Sequence, residues 1–425
     1  MLQNKTTFFL SIFISISSFA QRETTSPYSR FGYGDIYSNS LHAFDARGGA
    51  GIADRNQTHI SFLNPAGHSG VPKERFIFET GIGSNTRILE QGENQSTNNS
   101  AGIEYFAAAF PVIESKWNSA FGLLPFSTVG YEIAASNSEN AFLYKGTGGI
   151  NQVVWGNAFT PTPNFSLGFH ARYLFGETYS KSFVFFPENS TSFSTEKRET
   201  IKTNGIIWDF GFIYTIPISE TSSLSIAATY RDKQTAAYTH KNFLATFESE
   251  DQEETNTYID TITNSFKKDV RTDFAQRIGF GIQYTITEKF EYSLDFTKEN
   301  WDRIYVYGIT NKNLTNVLSI HSGIEYIPNA RSLSYLKKLP YRIGIHYSQL
   351  PISETIGTFE TNPIDFGFSF GTDFMLKQTG NSITTSFIIG KRGDFNIKNS
   401  MQETYFMTKF TIRLHETWFF KRKID

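Results

Sequence analysis

Residues 164–175, Asn-Phe-Ser-Leu-Gly-Phe-His-Ala-Arg-Tyr-Leu-Phe, decide the fold class because large apolar side chains alternate along them with small or polar ones. Successive side chains of a β-strand point to opposite faces, so this stretch predicts a strand with one apolar face. Its other face carries Ser166, Gly168, His170 and Arg172. The same alternation returns at 208–216, 278–286, 290–297 and 341–348. The sequence therefore predicts an all-β protein.

The second face of these strands indicates where water lies. It consists mainly of glycine and serine with single charges, and the first face is aromatic and aliphatic. Small and polar residues suit the crowded interior of a barrel, whereas aromatic and aliphatic residues suit lipid. Many runs span about ten residues, the length needed to cross a bilayer at a tilt. We therefore predict a transmembrane antiparallel β-barrel in an outer membrane.

Fourteen strands are predicted, and they lie near 74–82, 102–111, 116–126, 149–159, 164–176, 204–217, 223–232, 271–286, 289–300, 316–327, 340–350, 364–377, 381–391 and 402–414. Their connections alternate between long and short, as in barrels with long outer loops and short periplasmic turns. The long loops are predicted at 83–101, 127–148, 177–203, 233–270, 301–315, 351–363 and 392–401. The connection at 328–339 is longer than the other turns and is expected to hold a short helix.

Composition excludes several classes of protein. The 425 residues include 42 Phe and 21 Tyr, yet only 39% are hydrophobic, which fits strands that bury alternate residues in lipid. No apolar run of about 20 residues follows the start of the chain, so membrane-spanning helices are not expected. The chain has no cysteine, which excludes disulfides and thiol chemistry. A net charge of −2 argues against a nucleic-acid partner.

The chain is predicted to divide into four parts. Residues 1–20 combine Lys5, an apolar stretch and small residues at Ser18 and Ala20, the pattern of a cleavable export signal. Residues 21–73 do not alternate, and we expect them to form a plug, because a fourteen-strand barrel encloses space that its own side chains do not fill. Residues 74–414 form the barrel, and residues 415–425 form a periplasmic tail.

The predicted plug carries two glycine-containing motifs, Gly48-Gly49-Ala50-Gly51 and Asn64-Pro65-Ala66-Gly67. The first lacks the lysine of a phosphate-binding loop, so a nucleotide site is not expected. Together the motifs resemble the N-terminal hatch of the long-chain fatty-acid and aromatic-hydrocarbon outer-membrane transporters. That resemblance implies a fourteen-strand barrel closed by its N-terminal segment, with hydrophobic substrates leaving through an opening in the wall. The N-terminal stretch Ser-Pro-Tyr-Ser-Arg-Phe-Gly at 26–32 and the aromatic and basic C-terminal stretch at 418–425 resemble those of barrels of the Bacteroidota.

Gly122 and Pro125 are candidates for such a wall opening, because proline cannot donate a ladder hydrogen bond. The alternative is that Pro125 simply ends its strand. Candidate lumen residues, taken from the polar faces of the strands, are His170, Arg172, Asp209, Arg277, Glu291, Asp295, Arg342, His346, Asp365 and Arg413. Opposite charges that face a narrow interior usually pair with one another and hold a plug.

Two functions are the main candidates for this pattern, and a structural or adhesive surface protein, suggested only by the long loops, is a third. The first is passive uptake of small hydrophobic molecules, fatty-acid-like or aromatic, through a hatch-plugged barrel surrounded by outer-membrane lipid. The second is a non-transporting barrel subunit of a larger outer-membrane assembly or protein-secretion complex, with other outer-membrane proteins as partners. An exposed apolar patch outside the membrane favours the second. No catalytic motif or metal-ligand spacing is present, so an enzyme, a cofactor and a metal site are not expected.

Overall fold

The structure, a computed structural model, describes residues 26–55, 58–187, 192–248, 257–302, 304–307, 309–310, 314–356, 359–376, 380–397 and 399–417. The predicted export signal at 1–20 and residues 418–425 of the predicted tail lie outside the described residues. Within the described ranges, no helix has both the length and the apolar character needed to cross a membrane.

The described strands are β1 (Asp35–Ile36), β2 (Arg75–Gln91), β3 (Asn94–Ile113), β4 (Trp117–Ser136), β5 (Ala141–Thr162), β6 (Phe165–Phe185), β7 (Ser194–Pro217), β8 (Ser222–Arg231), β9 (Gln234–Glu248), β10 (Thr257–Phe274), β11 (Gln276–Ile286), β12 (Phe290–Asn300), β13 (Tyr305–Val306), β14 (Ile309–Thr310), β15 (Val317–Tyr326), β16 (Tyr341–Gln349), β17 (Glu354–Ile356), β18 (Phe359–Thr361), β19 (Ile364–Met375), β20 (Ser382–Gly393) and β21 (Gln402–Thr417). The described helices are two 3₁₀ turns, η1 (Pro27–Arg30) and η2 (Pro65–Gly70), and two short α-helices, α1 (His42–Asp45) and α2 (Tyr335–Lys338).

Fourteen of these strands form one closed antiparallel barrel, in the order β2 to β8, β11, β12, β15, β16 and β19 to β21. The ring closes where β2 pairs with β21, from Arg75–Thr417 to Glu90–Gln402. The outward face is apolar and exposed, as at Ile343 (58%) and Phe368 (62%), because its neighbour is lipid rather than a protein core. The predicted fourteen-strand transmembrane barrel is confirmed.

Four of the predicted long loops are instead the outer parts of β-hairpins. Residues 83–101 belong to β2 and β3, and residues 127–148 and 177–203 continue β4 to β7. Residues 233–270 include β9 and β10, which pair with each other. The loop prediction is wrong there because side chains beyond the membrane meet water on both faces, so a strand no longer shows apolar alternation. We call β9, β10 and the outer parts of β4 to β7 the outer sheet.

The opposite end of the barrel has short turns, such as Ile113–Trp117 and Ile286–Phe290, and by the usual topology it faces the periplasm. The longer connection after β15 contains α2, as the sequence predicts. Strand β21 reaches Thr417, three residues beyond the predicted end of the barrel.

The N-terminal segment, residues 26–55 and 58–73, lies against the interior face of the barrel, and we call it the plug. Phe44 and Phe62 are fully buried and belong to one apolar cluster with Ile77, Val154 and Ile213, which lie on three different strands of the barrel. A fully buried phenylalanine contributes about 1.5–3 kcal/mol relative to an exposed one. The plug therefore supplies much of the apolar core that the fourteen strands lack by themselves.

Candidate functional site

The first glycine motif of the plug follows α1 and turns the chain against the wall of the barrel. Gly48 and Gly49 have φ values of +70° and +81°, in the region where only glycine is unstrained. Gly48 donates its N–H to the Ser369 hydroxyl at 2.8 Å, and its carbonyl lies 2.6 Å from Nδ1 of His321. Ala50 is completely buried. The motif thus brings the plug backbone into direct contact with β15, β16 and β19.

Gly51 completes the motif and ties the plug to β12. The Gly51 and Ile52 N–H groups both donate to one carboxylate oxygen of Asp295, at 2.6 and 2.8 Å. Two backbone donors on one buried carboxylate form a small anion-binding turn. Asp295, which is predicted to face the lumen, therefore binds the backbone of the plug.

The second motif forms η2 at the periplasmic end of the plug. The Asn64 side chain accepts a hydrogen bond from the Ala66 N–H at 2.9 Å and so caps the turn, with Pro65 at its first position. The same side chain donates to the Ile52 carbonyl at 2.8 Å and to the Phe212 carbonyl at 3.2 Å. Gly67, at the third position of η2, is buried. Asn64 thus joins the two motifs to each other and to β7.

Arg47 lies between the plug and β12, and its side chain is almost completely buried. It forms ion pairs with Asp54 of the plug and with Glu291 of β12, the latter at 2.9 Å. A buried charge without its partner costs several kcal/mol. Arg47 therefore makes separation of the plug from this side of the barrel costly.

A second group of charges lies on β2, β15, β16, β19 and β21. Arg342 forms ion pairs with Asp373 at 2.7 Å and with Glu325 at 2.6 Å, and Arg413 forms one with Glu79 at 2.7 Å. Glu79 also accepts a hydrogen bond from the Ile60 N–H of the plug at 3.2 Å. Both predicted lumen arginines are thus paired across strands beneath the plug.

A third group lies on β6 and β7. Arg172 forms an ion pair with Asp209 and donates to the Phe62 carbonyl of the plug at 3.0 Å. His170 is fully buried, and its Nε2 lies 2.9 Å from Nε2 of His68 in η2. Arg172 can only donate, so its contact at 3.0 Å with Nδ1 of His170 leaves the hydrogen of His170 on Nε2, which donates to Nε2 of His68; both imidazoles are therefore neutral in this pair.

Charges also meet at the outer end of the plug. Asp35 of β1 pairs with Arg87 of β2 at 3.0 Å and with Arg392 of β20 at 2.8 Å. Arg392 continues to Asp365 at 3.0 Å, and the Asp365 carboxylate lies 3.5 Å from Nε2 of His346. The candidates Asp365 and His346 therefore belong to one network with the plug.

Among the plug groups with shifted pKa values are Asp35 and His68, neither of which lies on a membrane-spanning strand. Burial by itself would raise the pKa of Asp35, but the positive charges of Arg392 and Arg87 outweigh it, and the pKa lies below its usual value. Burial, together with the nearby charge of Arg172, lowers the pKa of His68 to about 3. At neutral pH the Asp35 carboxylate of the plug is therefore ionised and the His68 imidazole is neutral.

The wall is incomplete between β3 and β4. These strands pair from Phe106–Leu123 down to their turn, and no pairing between them continues above Leu123 in the described residues. Strand β4 continues past Pro125, where its register with β5 shifts. Pro125 therefore does not end the strand, and Gly122 lies against Phe62 of the plug.

The plug pairs with the part of β4 that β3 leaves unpaired. Strand β1 pairs with β4 at Ser127 and Thr128, and the Ser26 N–H donates to the Gly130 carbonyl at 2.9 Å. The Tyr28 hydroxyl donates to the Met401 carbonyl, directly before β21, at 2.6 Å. We call the unpaired β3–β4 region the seam.

A cavity of about 300 Å³ lies between the plug and the outer loops. Its apolar lining comes from Phe31 and Tyr33 of the plug and from Trp301, Leu314 and Ile352 of the loops. Its polar lining includes Arg277, which also pairs with Glu299 at 3.4 Å, and Lys409, which pairs with Asp45 at 2.7 Å. The cavity can hold a small amphipathic molecule.

Sequence reasoning missed several of the charges that hold the plug. Glu79, Arg87 and Arg392 lie on interior faces of strands, and continuing the alternation through 75–91 and 382–393 would have found them. Asp35, Arg47 and Asp54 lie in a segment without periodicity, which offers no such signal. Their partners are distant in the sequence, as with Arg47 and Glu291, 244 positions apart.

A family model described as BamG matches residues 1–425, the whole chain. Among solved structures, the Ralstonia pickettii toluene transporter TbuX superposes with a TM-score of 0.55 at 12% identity, covering 88% of this chain and 98% of its own. The CymD monoaromatic hydrocarbon channel gives 0.56 at 11%, covering 88% and 97%. A Pseudomonas aeruginosa FadL homologue gives 0.53 at 10%, covering 92% and 100%. No curated protein matches the sequence. At these identities the solved structures establish a shared fold, that of outer-membrane hydrocarbon channels.

Proposed function

This chain belongs to the BamG family, and from that premise we propose that it is a non-transporting barrel subunit of a larger outer-membrane assembly. The observation that carries the proposal is the outer sheet, which extends beyond the membrane and presents apolar side chains there. Ile259, Ile262 and Phe266 of β10 are 45%, 57% and 60% exposed. Lipid does not reach this height, so these side chains face water unless a protein covers them.

The edge of the outer sheet is open as well. Strand β10 pairs with β9 and with no other described strand along its length. Its lower end contacts β13, where the Tyr305 N–H donates to Asp273 at 3.3 Å. Above Val270 the free edge offers backbone donors and acceptors to a strand of another protein. Lys267 and Lys268 lie beside this edge and favour an acidic partner surface.

The plug supports the same proposal. Its buried ion pairs reach β2, β12, β20 and β21, and each pair broken on one side would cost about 3–5 kcal/mol. A small apolar ligand cannot supply enough binding free energy to displace such a plug. A rigid, closed barrel is well suited to serve as a membrane-embedded support for partners.

Purification from native membranes in mild detergent, followed by quantitative mass spectrometry, tests this function. We expect other outer-membrane proteins in fixed ratio, and we expect Ile262→Asn with Phe266→Asn to reduce their recovery. Ser96→Asn, on the exposed β2–β3 hairpin, is the matched control and should leave recovery unchanged. Recovery of the wild-type protein alone, or equal recovery with the β10 variant and the control, would refute the proposal.

The cavity and the seam favour a second candidate, uptake of small hydrophobic molecules. A volume of about 300 Å³ lies at the lower end of ordinary ligand pockets. The route would run from the cavity through the seam into the membrane, past residues 26–37, so the rest of the plug would stay in place. Deletion of residues 26–37 would then accelerate uptake of an apolar tracer into proteoliposomes. No tracer entry with either protein would leave the assembly function as the sole proposal.

A further inference from the structure

The connection between β15 and β16 runs outside the barrel wall at its periplasmic end. Tyr341, which shares the lipid-facing side of β16 with Ile343, donates its hydroxyl to the Leu336 carbonyl at 2.9 Å. The Tyr335 hydroxyl donates to the Met375 carbonyl at the end of β19 at 3.0 Å. Helix α2 is therefore fixed beside two lipid-facing strand ends, at the level of the aromatic residues that border the membrane.

This connection exposes two apolar side chains, although the residue at its C-terminal end is packed into the protein. Leu339, directly after α2, is buried, whereas Leu333 is completely exposed and Leu336 is 63% exposed. The Asn329 N–H donates to the Lys337 carbonyl at 2.8 Å and closes the loop on itself. The two exposed leucines are thus held in place on the outside of the barrel.

Positive charges surround these leucines. Lys289, Arg331, Lys337 and Lys338 are exposed, and the exposed Glu288 carboxylate lies 3.6 Å from Arg331. Apolar side chains next to lysine and arginine are the combination that binds the surface of an anionic bilayer, with the apolar part below the headgroups and the cations at the phosphates.

We propose that the connection of residues 328–339 is an interfacial anchor that inserts Leu333 and Leu336 into the inner leaflet and binds anionic phospholipid headgroups through its basic residues. The anchor would fix the rotation and depth of the barrel in the membrane. This inference does not depend on the function proposed above, since a transporter and an assembly subunit would use it equally.

The chain has no cysteine, so single labels can be placed without background. Nitroxide labels at Leu333→Cys and Leu336→Cys would be compared with one at Glu220→Cys, in the tight turn after β7 at the same end of the barrel. In nanodiscs containing phosphatidylglycerol, we expect the two leucine sites to be accessible to oxygen and protected from a water-soluble nickel chelate. The Glu220 site should show the reverse. Lys337→Gln with Lys338→Gln, or purely zwitterionic lipid, should reduce the protection at both leucine sites.

Nickel accessibility at Leu333 and Leu336 equal to that at Glu220 would overturn the proposal. Protection that is absent in nanodiscs and present only in native membranes would also overturn it, and would indicate a periplasmic protein at this surface. Protection that does not respond to the lysine variants or to lipid charge would refute the headgroup contact. Because all labelled positions are exposed, retained heat-modifiable migration on gels is the check that each variant is folded.

Discussion

Replacing Arg47 with alanine is expected to loosen the plug far more than any exposed substitution in it. The change leaves two buried carboxylates, Asp54 and Glu291, without their cation. The loss from removing one partner of a buried ion pair is about 3–5 kcal/mol. Since 1.4 kcal/mol corresponds to a factor of ten, the population with a detached plug should rise by about two to four orders of magnitude.

Hydrogen–deuterium exchange of residues 42–54 measures this population directly, and single-channel conductance in planar bilayers reports whether the lumen opens. Arg55→Ala is the matched control: Arg55 is also an arginine of the plug, but among the described residues its side chain bonds to the Ser69 hydroxyl and the Pro163 carbonyl, both at 3.0 Å, and to no carboxylate. Losing such bonds costs about 1 kcal/mol, so exchange should rise about tenfold or less. Equal exchange in the two variants would refute the argument that buried charge holds the plug.

A triple variant separates the loss of charge balance from the loss of packing. Arg47→Met combined with Asp54→Leu and Glu291→Leu replaces the whole buried group by apolar side chains, which is often neutral or stabilising. We expect exchange to return close to the wild-type rate. Continued fast exchange would mean that the shape of Arg47, rather than its charge, secures the plug.

Three further outcomes follow from the plug contacts. Gly48→Ala should lower the melting temperature and expose the plug to hydrogen–deuterium exchange, because φ is +70° and the new Cβ would collide with the backbone of Ile345. Gly92→Ala, at φ +63° in an open outer turn, is the control and should lower the melting temperature less. Asn64→Leu should cost about 1–2 kcal/mol through loss of the η2 cap, measured by denaturant unfolding, and an unchanged midpoint would contradict that role. The pKa of His68 is lowered to about 3, so the unfolded chain binds more protons below about pH 6.5, and acidification to pH 5 should destabilise the protein by about 2 kcal/mol at this site. His68→Gln should reduce that pH dependence, and an identical stability profile in the variant would contradict the assignment.

The sequence by itself determined the barrel, because the alternation that indicates each strand lies within a few neighbouring residues. Residues such as Phe280 and Ile282 alternate with Gly279 and Gly281, and lipid on one side requires an apolar side chain at every second position. The alternation ends where the membrane ends, so the outer-sheet strands at 177–203 and 233–270 give no periodic signal, and the sequence predicts loops there. The short helix after β15 was predicted from the length of its connection alone.

Only the tertiary structure decided what the plug contacts and how firmly it is held. Asp295 was predicted to face the lumen, but nothing in the sequence pairs it with the N–H groups of Gly51 and Ile52 more than 240 positions away. Contacts inside a lumen join one non-repeating segment to many strands, and neither periodicity nor spacing records them. The free edge of β10 and the seam between β3 and β4 are likewise absences of pairing, which follow from the register of the whole sheet rather than from any one strand.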